Sequence, residues 1–266
     1  MGPQRLVIFV KAPRGGEVKT RLAQSIGPEA ACAAYRHLVE TLLANFDAPH
    51  EPDARTPLTR PAPSGSTLSP PPRRGEGWGE GCALVRSEDR NRGSWQAVGS
   101  LSSGAVSGQS ASRKPQTPIE LRFTPDDALA EIQPWLREGW RARPQGGGDL
   151  GERLKRACAE HFADGCEHLI LIGSDCPDVT VDDIERARAS LKHSDVVLGP
   201  ATDGGYWLIG LNAPHLELFD EIPWSTDKVL ARTLARAERL QQRVALLREL
   251  RDVDTVEDWQ RLHRRP

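Results

Sequence analysis

Two aspartates in the sequence follow short apolar runs, where the end of a buried strand would present a carboxylate to a ligand. Asp175 lies in Gly-Ser-Asp-Cys-Pro after the apolar run at 168–172, and Asp203 lies in Asp-Gly-Gly-Tyr after the run at 195–199. Carboxylates at such positions commonly hold Mg²⁺ or Mn²⁺ against phosphate oxygens. We therefore predict a divalent-metal site at Asp175, with Asp203 as a second acidic residue across the same cleft.

Each acidic residue near this predicted site also has a structural interpretation. Asp175 could cap a helix or hold a turn, and Asp-Gly-Gly is a frequent hairpin turn. The acidic cluster Asp252–Asp254 precedes the last predicted helix, so it could supply another carboxylate or cap that helix. Cys176, beside Asp175, is either a buried inert thiol or a nucleophile. The residue types alone leave these alternatives open.

Three cations surround a glycine-containing loop that follows the first apolar run. Arg5–Val10 is followed by Lys11, the pair Gly15-Gly16, Lys19 and Arg21, and then by a helical pattern. Loop amides and positive side chains suit a multiply charged anion such as a nucleotide pyrophosphate. The spacing matches neither Gly-x-Gly-x-x-Gly nor the Walker pattern. The segment predicts a phosphate-binding loop, and the alternative is a turn with solvated lysines.

The elements that would position these residues alternate between strands and helices. Apolar runs predict strands at Arg5–Val10, Glu120–Phe123, His168–Gly173, Asp195–Gly199, Tyr206–Gly210 and Val244–Leu247. Helical patterns predict helices at Thr20–Phe46, Leu150–Ala163, Val181–Lys192, Asp227–Arg239 and Val256–His263. Capping boxes are predicted for Thr180 with Asp183 and for Thr255 with Asp258. The alternation predicts an α/β fold with a Rossmann-like, mainly parallel sheet, helices on both faces, and ligands beyond the carboxyl ends of the strands.

Residues 48–118 differ in composition from the rest of the chain. Proline, glycine and serine make up 30 of these 71 residues, and no helical or strand period runs through them. Such a segment buries too little apolar area to offset the entropy of ordering it. We expect a disordered insertion on a surface loop, with a proline-rich recognition site as the alternative. The rest of the chain suits one α/β domain.

Composition excludes several other classes of protein. A formal net charge of -2 gives no global basic field, so we expect no nucleic-acid partner. The apolar run near the N-terminus is too short for a transmembrane segment, which predicts a cytoplasmic protein. The five cysteines form no Cys-x-x-Cys pair, so neither a disulfide framework nor a zinc site is indicated.

Six motifs, in this order along the chain, resemble the GT-A-type nucleotide-diphospho-sugar transferase superfamily. More narrowly, they resemble a bacterial family of glycosyltransferases, some of which are associated with arsenosugar biosynthesis. The motifs are Lys11-Ala12-Pro13 with Val18-Lys19-Thr20-Arg21-Leu22, Gly148-Asp149-Leu150-Gly151-Glu152-Arg153, Gly173-Ser174-Asp175-Cys176-Pro177, Asp203-Gly204-Gly205-Tyr206, Ile222-Pro223-Trp224-Ser225-Thr226 and Asp252-Val253-Asp254-Thr255. They cover almost all of the chain outside 48–118, where the family has a short connection.

The resemblance implies a role for each matching nucleotide-side residue. Lys11, Lys19 and Arg21 would bind the phosphates of a nucleotide, and Gln145 resembles the glutamine that reads the base edge in related nucleotidyltransferases. Asp175 would be the main metal ligand for Mg²⁺ or Mn²⁺.

On the acceptor side the implied roles have stronger alternatives. Asp203 would be a second metal ligand or a catalytic acceptor-side residue, and Asp254 would approach the metal or merely cap the final helix. Trp224 and Ser225 would line the acceptor pocket, although Trp224 is equally a packing anchor.

The implied activity is that of a metal-dependent, glycosyltransferase-like enzyme. It would use a nucleotide sugar as donor and a small-molecule acceptor. One alternative is a nucleotidyltransferase that couples a nucleoside triphosphate to a phosphorylated small molecule and releases pyrophosphate. The other is a non-catalytic nucleotide-binding protein.

Overall fold

The described strands form one mixed sheet. A computed structural model describes residues 4–47 and 118–264. Its strands are β1 (Gln4–Lys11), β2 (Ile119–Thr124), β3 (Arg141–Pro144), β4 (His168–Gly173), β5 (Val196–Pro200), β6 (Tyr206–Leu211) and β7 (Val244–Leu246). They lie in the order β3-β2-β1-β4-β6-β5-β7. Only β6 runs antiparallel to its neighbours, β4 and β5, so the predicted mainly parallel sheet is confirmed.

Helices cover both faces of this sheet. They are α1 (Thr20–Ile26), α2 (Pro28–Asp47), α3 (Leu129–Ile132), α4 (Leu150–Ala163), α5 (Val181–Leu191), α6 (Val229–Arg239) and α7 (Val256–His263). On one face, α2 and α5 pack on a core that includes Ile8 and Ile172. On the other face, α4 and α6 pack on a core that includes Val7 and Leu171. Because both faces are covered, β1 and β4 are continuous apolar runs rather than alternating ones.

The single helix predicted over Thr20–Phe46 is wrong, because the chain forms two helices there. The first ends at Gly27, which has a φ of 88° and whose amide donates to the carbonyl of Ala23. Pro28 begins the second helix. Proline has no amide hydrogen and its ring crowds the preceding turn, so it belongs at a helix start and not inside one. The Gly-Pro pair was the available sequence signal.

Several other predicted elements are confirmed within one or two residues. Strand β4 and helices α4 and α7 have the predicted bounds, and both capping boxes, on Thr180 and Thr255, are formed. Strand β3 was missed because Arg-Ala-Arg-Pro has no apolar pattern; it is a short, partly exposed strand at the edge of the sheet. The predicted insertion lies, except for Pro118, outside the described residues.

Within residues 4–47 and 118–264, none of the helices combines the length and the apolar character that crossing a bilayer requires.

Candidate functional site

The segment after β7, residues 248–254, crosses the carboxyl edge of the sheet; we call it the crossing segment. The amide of Thr202 donates to the carbonyl of Leu250 at 3.0 Å, which ties the segment to the end of β5. The amide of Val253 donates to the carbonyl of Asp175 at 3.1 Å, which ties it to the loop after β4. The crossing segment therefore brings its own acidic residues to the strand end where Asp175 lies.

Lys19 joins the acidic residues of these two segments. Its Nζ atom lies 2.5 Å from Oδ1 of Asp175 and 2.8 Å from Oδ1 of Asp254. The lysine side chain is 4 % exposed, whereas the two carboxylates are 47 % and 38 % exposed. Burial opposes the charge on Lys19, but the carboxylates outweigh it and raise the pKa of the lysine well above its usual value. The site thus contains a buried ammonium between two carboxylates that solvent can reach.

A third acidic group, Asp252, lies next to this pair. The Sγ atom of Cys176 donates to Oδ1 of Asp252 at 2.7 Å. Burial raises the pKa of Asp252 to about 6, and the charges of Asp203, Asp175 and Asp254 add to the shift. Burial, together with Asp252, also raises the pKa of the Cys176 thiol well above its usual value. A neutral thiol that donates a hydrogen bond favours the inert interpretation of Cys176 over the nucleophile.

Asp203 is held by the turn between β5 and β6. Its Oδ1 accepts from the amide of Gly205 at 2.8 Å. Gly204 has a φ of 89°, and its carbonyl accepts from the amide of Leu230 at the start of α6. The charge of Asp203 contributes to the raised pKa of Asp252, so Asp203 lies near enough to act on that carboxyl group.

Tyr35 and Arg14, which no sequence motif singles out, hold the loop between β1 and α1 in place. Tyr35 of α2 is 2 % exposed, and its hydroxyl accepts from the amide of Lys11 at 2.8 Å and is hydrogen-bonded to Oγ of Ser174 at 3.0 Å. It thereby joins the ends of β1 and β4 beneath the site. Arg14 forms ion pairs with Glu131 at 2.6 Å and with Asp127 at 3.2 Å, which fasten the loop to α3 and the turn before it. Their partners are too distant in sequence to be recognised from spacing.

The three predicted phosphate-binding cations lie in different environments. Lys19 points into the acidic cluster, whereas the side chains of Lys11 and Arg21 are exposed. No ion pair joins Lys11 or Arg21 to another residue within 4–47 and 118–264. Two cations of the loop are thus accessible to an anion, and the third is engaged with carboxylates.

Gln145 begins the glycine loop, residues 145–148, between β3 and α4. The side chain is 4 % exposed, and its Nε2 donates to the carbonyls of Val10 at 3.0 Å and Arg122 at 2.9 Å. Its Oε1 accepts from Arg153 at 3.2 Å. In this arrangement the side chain links β1, β2 and α4. Gln145 could make the predicted contact with a base only if these hydrogen bonds were broken. Its role as a base reader stays a prediction.

The rest of the glycine loop is held by arginines of α4. Arg156 donates to the carbonyls of Gln145 and Gly147, and Arg153 donates to that of Gly148. Both arginines donate to backbone carbonyl oxygens of the loop, so these hydrogen bonds do not involve the amides of Gly147 and Gly148. Neither arginine was predicted to have this role, although Arg153 lies in one of the six motifs.

Trp224 lies against helix α4. A Cβ atom added to Gly151 would lie 2.6 Å from Nε1 of the indole, so the two surfaces are in close contact. The ring also packs edge-to-face on Tyr206, with centroids 6.5 Å apart. Ser225 follows with a φ of 63°, in the left-handed region. These contacts support the packing interpretation of Trp224, and the acceptor-pocket role of Trp224 and Ser225 stays a prediction.

The carboxylates of Asp175 and Asp254 fit a hard divalent cation only if a bound ligand supplies the remaining oxygen atoms around the metal. In the described ranges, no three histidine, cysteine, aspartate or glutamate side chains are arranged to hold a metal by themselves. Asp175 and Asp254 nevertheless direct one oxygen each toward a single cation, the Lys19 ammonium. Mg²⁺ is commonly bound by one or two carboxylates together with substrate phosphates. The pair therefore fits a metal that arrives with a phosphate ligand.

Comparison with known proteins agrees with this fold. A family model described as an uncharacterised protein conserved in bacteria (DUF2064) matches residues 108–226, which include Asp175 and Asp203 but not Lys19 or Asp254. A protein from Desulfovibrio desulfuricans G20, provisionally assigned as a nucleotide-diphospho-sugar transferase, is 28 % identical, with 99 % of this chain and 87 % of that chain covered and a TM-score of 0.68. This similarity confirms the predicted fold class and the resemblance stated from the motifs. No curated protein matches the chain significantly.

Two further solved structures are less similar to this chain in sequence and in fold. The complex of Rv0371c from Mycobacterium tuberculosis H37Rv with manganese is 12 % identical, covers 98 % of this chain and 97 % of its own, and has a TM-score of 0.46. A CMP:2-keto-3-deoxy-manno-octonic acid synthetase complexed with CTP is 8 % identical, with 98 % and 96 % covered and a TM-score of 0.48. At these values neither structure bears on the site.

Proposed function

We propose that this chain is a transferase that uses a nucleotide-activated donor, and that it is a metal-dependent, glycosyltransferase-like enzyme acting on a nucleotide sugar. The observation that carries the proposal is the convergence of Lys19, Asp175 and Asp254 at the carboxyl edge between β1 and β4. In open α/β sheets this edge is where ligands bind. The similarity to a provisionally assigned nucleotide-diphospho-sugar transferase supports the same class.

In this proposal the residues divide into a donor side and an acceptor side. Lys11 and Arg21, both exposed, bind the donor phosphates together with Lys19. Asp175 and Asp254 would hold Mg²⁺ or Mn²⁺, which when bound supplies positive charge to the leaving diphosphate. Asp203 accepts the proton of the attacking acceptor hydroxyl.

The proposal is tested by measuring thermal stabilisation and turnover with a panel of ligands. The panel contains nucleotide sugars and nucleoside triphosphates, each with and without Mn²⁺. Stabilisation by nucleotide sugars that requires Mn²⁺ supports the glycosyltransferase. Stabilisation by triphosphates alone would replace it with a nucleotidyltransferase, and stabilisation by neither would contradict a nucleotide-using enzyme.

The variant Asp175→Asn tests the site itself. Because Lys19 keeps its contact with Asp254, we expect the variant to fold with a melting temperature close to that of the unaltered chain. Metal-dependent donor binding and turnover should be lost. Asp164→Asn is the matched control, since Asp164 is an exposed aspartate at the far end of α4. Turnover retained in Asp175→Asn would contradict the assignment.

A further inference from the structure

Lys19 lies where a divalent cation would have to bind in order to contact both Asp175 and Asp254. Its Nζ is 2.5 and 2.8 Å from one oxygen of each carboxylate. Mg²⁺ binds oxygen at about 2.0–2.1 Å, so a cation bonded to the same two oxygens would approach Nζ closely. Two positive charges at such a distance repel strongly in a partly desolvated site. The ammonium and a metal therefore compete for this pair of carboxylates.

The ammonium is enclosed where it contacts the two carboxylates. Its side chain is only 4 % exposed, and its Nζ lies within 2.8 Å of one oxygen of each carboxylate. Lys19 also has a left-handed backbone conformation, with a φ of 48°, at the residue that precedes α1. Such a conformation is costly for a residue with a Cβ atom and persists where the surroundings hold it. The lysine is thus held on the acidic pair as a charged group.

The excess of negative charge in the acidic cluster favours replacement of the Lys19 ammonium by a metal over a permanent ion pair. The charges of Asp175, Asp203 and Asp254 all act on Asp252, and among the described residues Lys19 contacts two of these four carboxyl groups. Lys11 and Arg21 can attract a phosphate ligand to the loop, but close to these carboxylates the phosphate is repelled unless a further cation lies between them. A metal that enters with the phosphate supplies that cation and frees the ammonium for the phosphate oxygens.

We propose that Lys19 is a placeholder cation: in the absence of donor it holds Asp175 and Asp254 together and prevents a divalent metal from binding both. The ammonium moves from the carboxylates to an anionic phosphate when a metal and a di- or triphosphate bind together. This inference rests on the proposed function, because it assigns an order of binding to the same site. It implies that the metal alone binds weakly and that metal and phosphate ligand bind cooperatively.

The placeholder role predicts that removal of the positive charge of Lys19 changes Mn²⁺ binding even in the absence of any nucleotide. The free Mn²⁺ signal in electron paramagnetic resonance gives the dissociation constant for the full chain. We expect Lys19→Met to bind Mn²⁺ about tenfold more tightly than the unaltered chain, because the competing ammonium is gone. Lys19→Arg keeps a cation at the position and should bind Mn²⁺ as weakly as the unaltered chain.

Two further variants show whether the effect is local. Lys11→Met removes an exposed charge of the same loop, so it should leave the Mn²⁺ dissociation constant within about twofold of the unaltered value. The double variant Lys19→Met with Asp175→Asn should lose the gain. A Lys19→Met chain that is folded by circular dichroism and binds Mn²⁺ no more tightly than the unaltered chain would overturn the inference.

A second measurement needs no variant, in case Lys19→Met does not fold. In a crystal of the unaltered chain soaked with Mn²⁺ and pyrophosphate, Nζ of Lys19 should no longer contact the two carboxylates. A metal bound to both carboxylates while Nζ keeps both contacts would overturn the inference. The Mn²⁺ titration involves no donor, so its result is independent of the ligand panel, and failure of the proposed function can be told apart from failure of the placeholder role.

Discussion

Asp252 is a carboxyl group whose ionisation the fold opposes. Burial, and then the charges of Asp203, Asp175 and Asp254, raise its pKa from 3.8 to about 6. The folded chain therefore binds this proton more tightly than the unfolded chain does. The resulting contribution to stability is fully present below about pH 4 and is lost as the pH rises through about 6.

Replacement of Asp252 by asparagine should remove this pH dependence. The asparagine carbonyl can still accept the hydrogen bond from Cys176, so the packing is retained. We expect Asp252→Asn to be more stable than the unaltered, metal-free chain by about 2 kcal/mol at pH 8 and about equally stable at pH 4. Urea unfolding at several pH values, with a chelator present, measures this difference. A difference that does not change with pH would contradict the raised pKa.

The motifs selected residues that the structure brings together, but they did not predict the contacts between them. Asp175, Asp254 and Lys19 were all selected from motifs, and two of them face each other across more than two hundred residues of sequence. Nothing in the sequence distinguishes Lys19, which turns inward, from Lys11 and Arg21, which stay exposed. That difference follows from the left-handed backbone at Lys19 and from the course of the crossing segment, and both are set by tertiary packing.

At the scale of elements, the turn between β5 and β6 depends on Gly204. A Cβ atom at this position would collide with the backbone carbonyl of Asp227, and its φ of 89° disfavours any residue with a Cβ. We expect Gly204→Ala to destabilise the chain by about 2 kcal/mol or more, because backbone cannot move aside as a flexible side chain can. The variant should also displace Asp203, which lies in the same turn.

Gly147→Ala is the matched control for this substitution. Gly147 lies in the glycine loop, and no atom of residues 4–47 or 118–264 comes within 4 Å of a Cβ atom added there. We expect its unfolding free energy to stay within about 0.5 kcal/mol of the unaltered value. Chemical denaturation of both variants measures the contrast. Equal stability of the two alanine variants would mean that the turn is not packed on α6 as the contacts indicate.

The elements that the sequence predicted well are those whose apolar pattern matches their burial. Strand β4 is buried on both faces and was predicted to its ends, as was α4. Strand β3 was not predicted, since an edge strand of arginines, alanine and proline depends on pairing with β2 rather than on burial of its own side chains. The order of the strands was also beyond the sequence, because the antiparallel insertion of β6 between β4 and β5 leaves no periodic signal.

At the scale of the whole molecule, the site combines parts of the chain that are far apart in sequence. Lys19 follows the first strand, Asp175 follows β4, and Asp254 lies in the crossing segment after β7. Strand β1 is central to this assembly, since it pairs with β2 on one side and β4 on the other. Anything that keeps β1 and α2 correctly joined to β2 should therefore preserve the site.

The chain between α2 and β2 offers a test of that expectation. The composition of residues 48–118 predicts that this segment gains nothing by folding, and this stays a prediction because 48–117 lies outside the described residues. We expect replacement of residues 50–115 by a Gly/Ser linker of about 12 residues to increase the unfolding free energy by about 1 kcal/mol. The reason is that a shorter loop costs less entropy to close.

The Mn²⁺ dissociation constant should be unchanged in the same shortened chain, since Lys19, Asp175 and Asp254 all lie outside the replaced residues. Urea unfolding and the Mn²⁺ titration measure the two quantities on one preparation. A loss of about 2 kcal/mol or more would mean that the segment contributes packing of its own to the folded chain. Tighter Mn²⁺ binding with unchanged stability would instead assign the segment a direct influence on the acidic cluster, because loop entropy acts on the unfolded chain and leaves the folded site as it was.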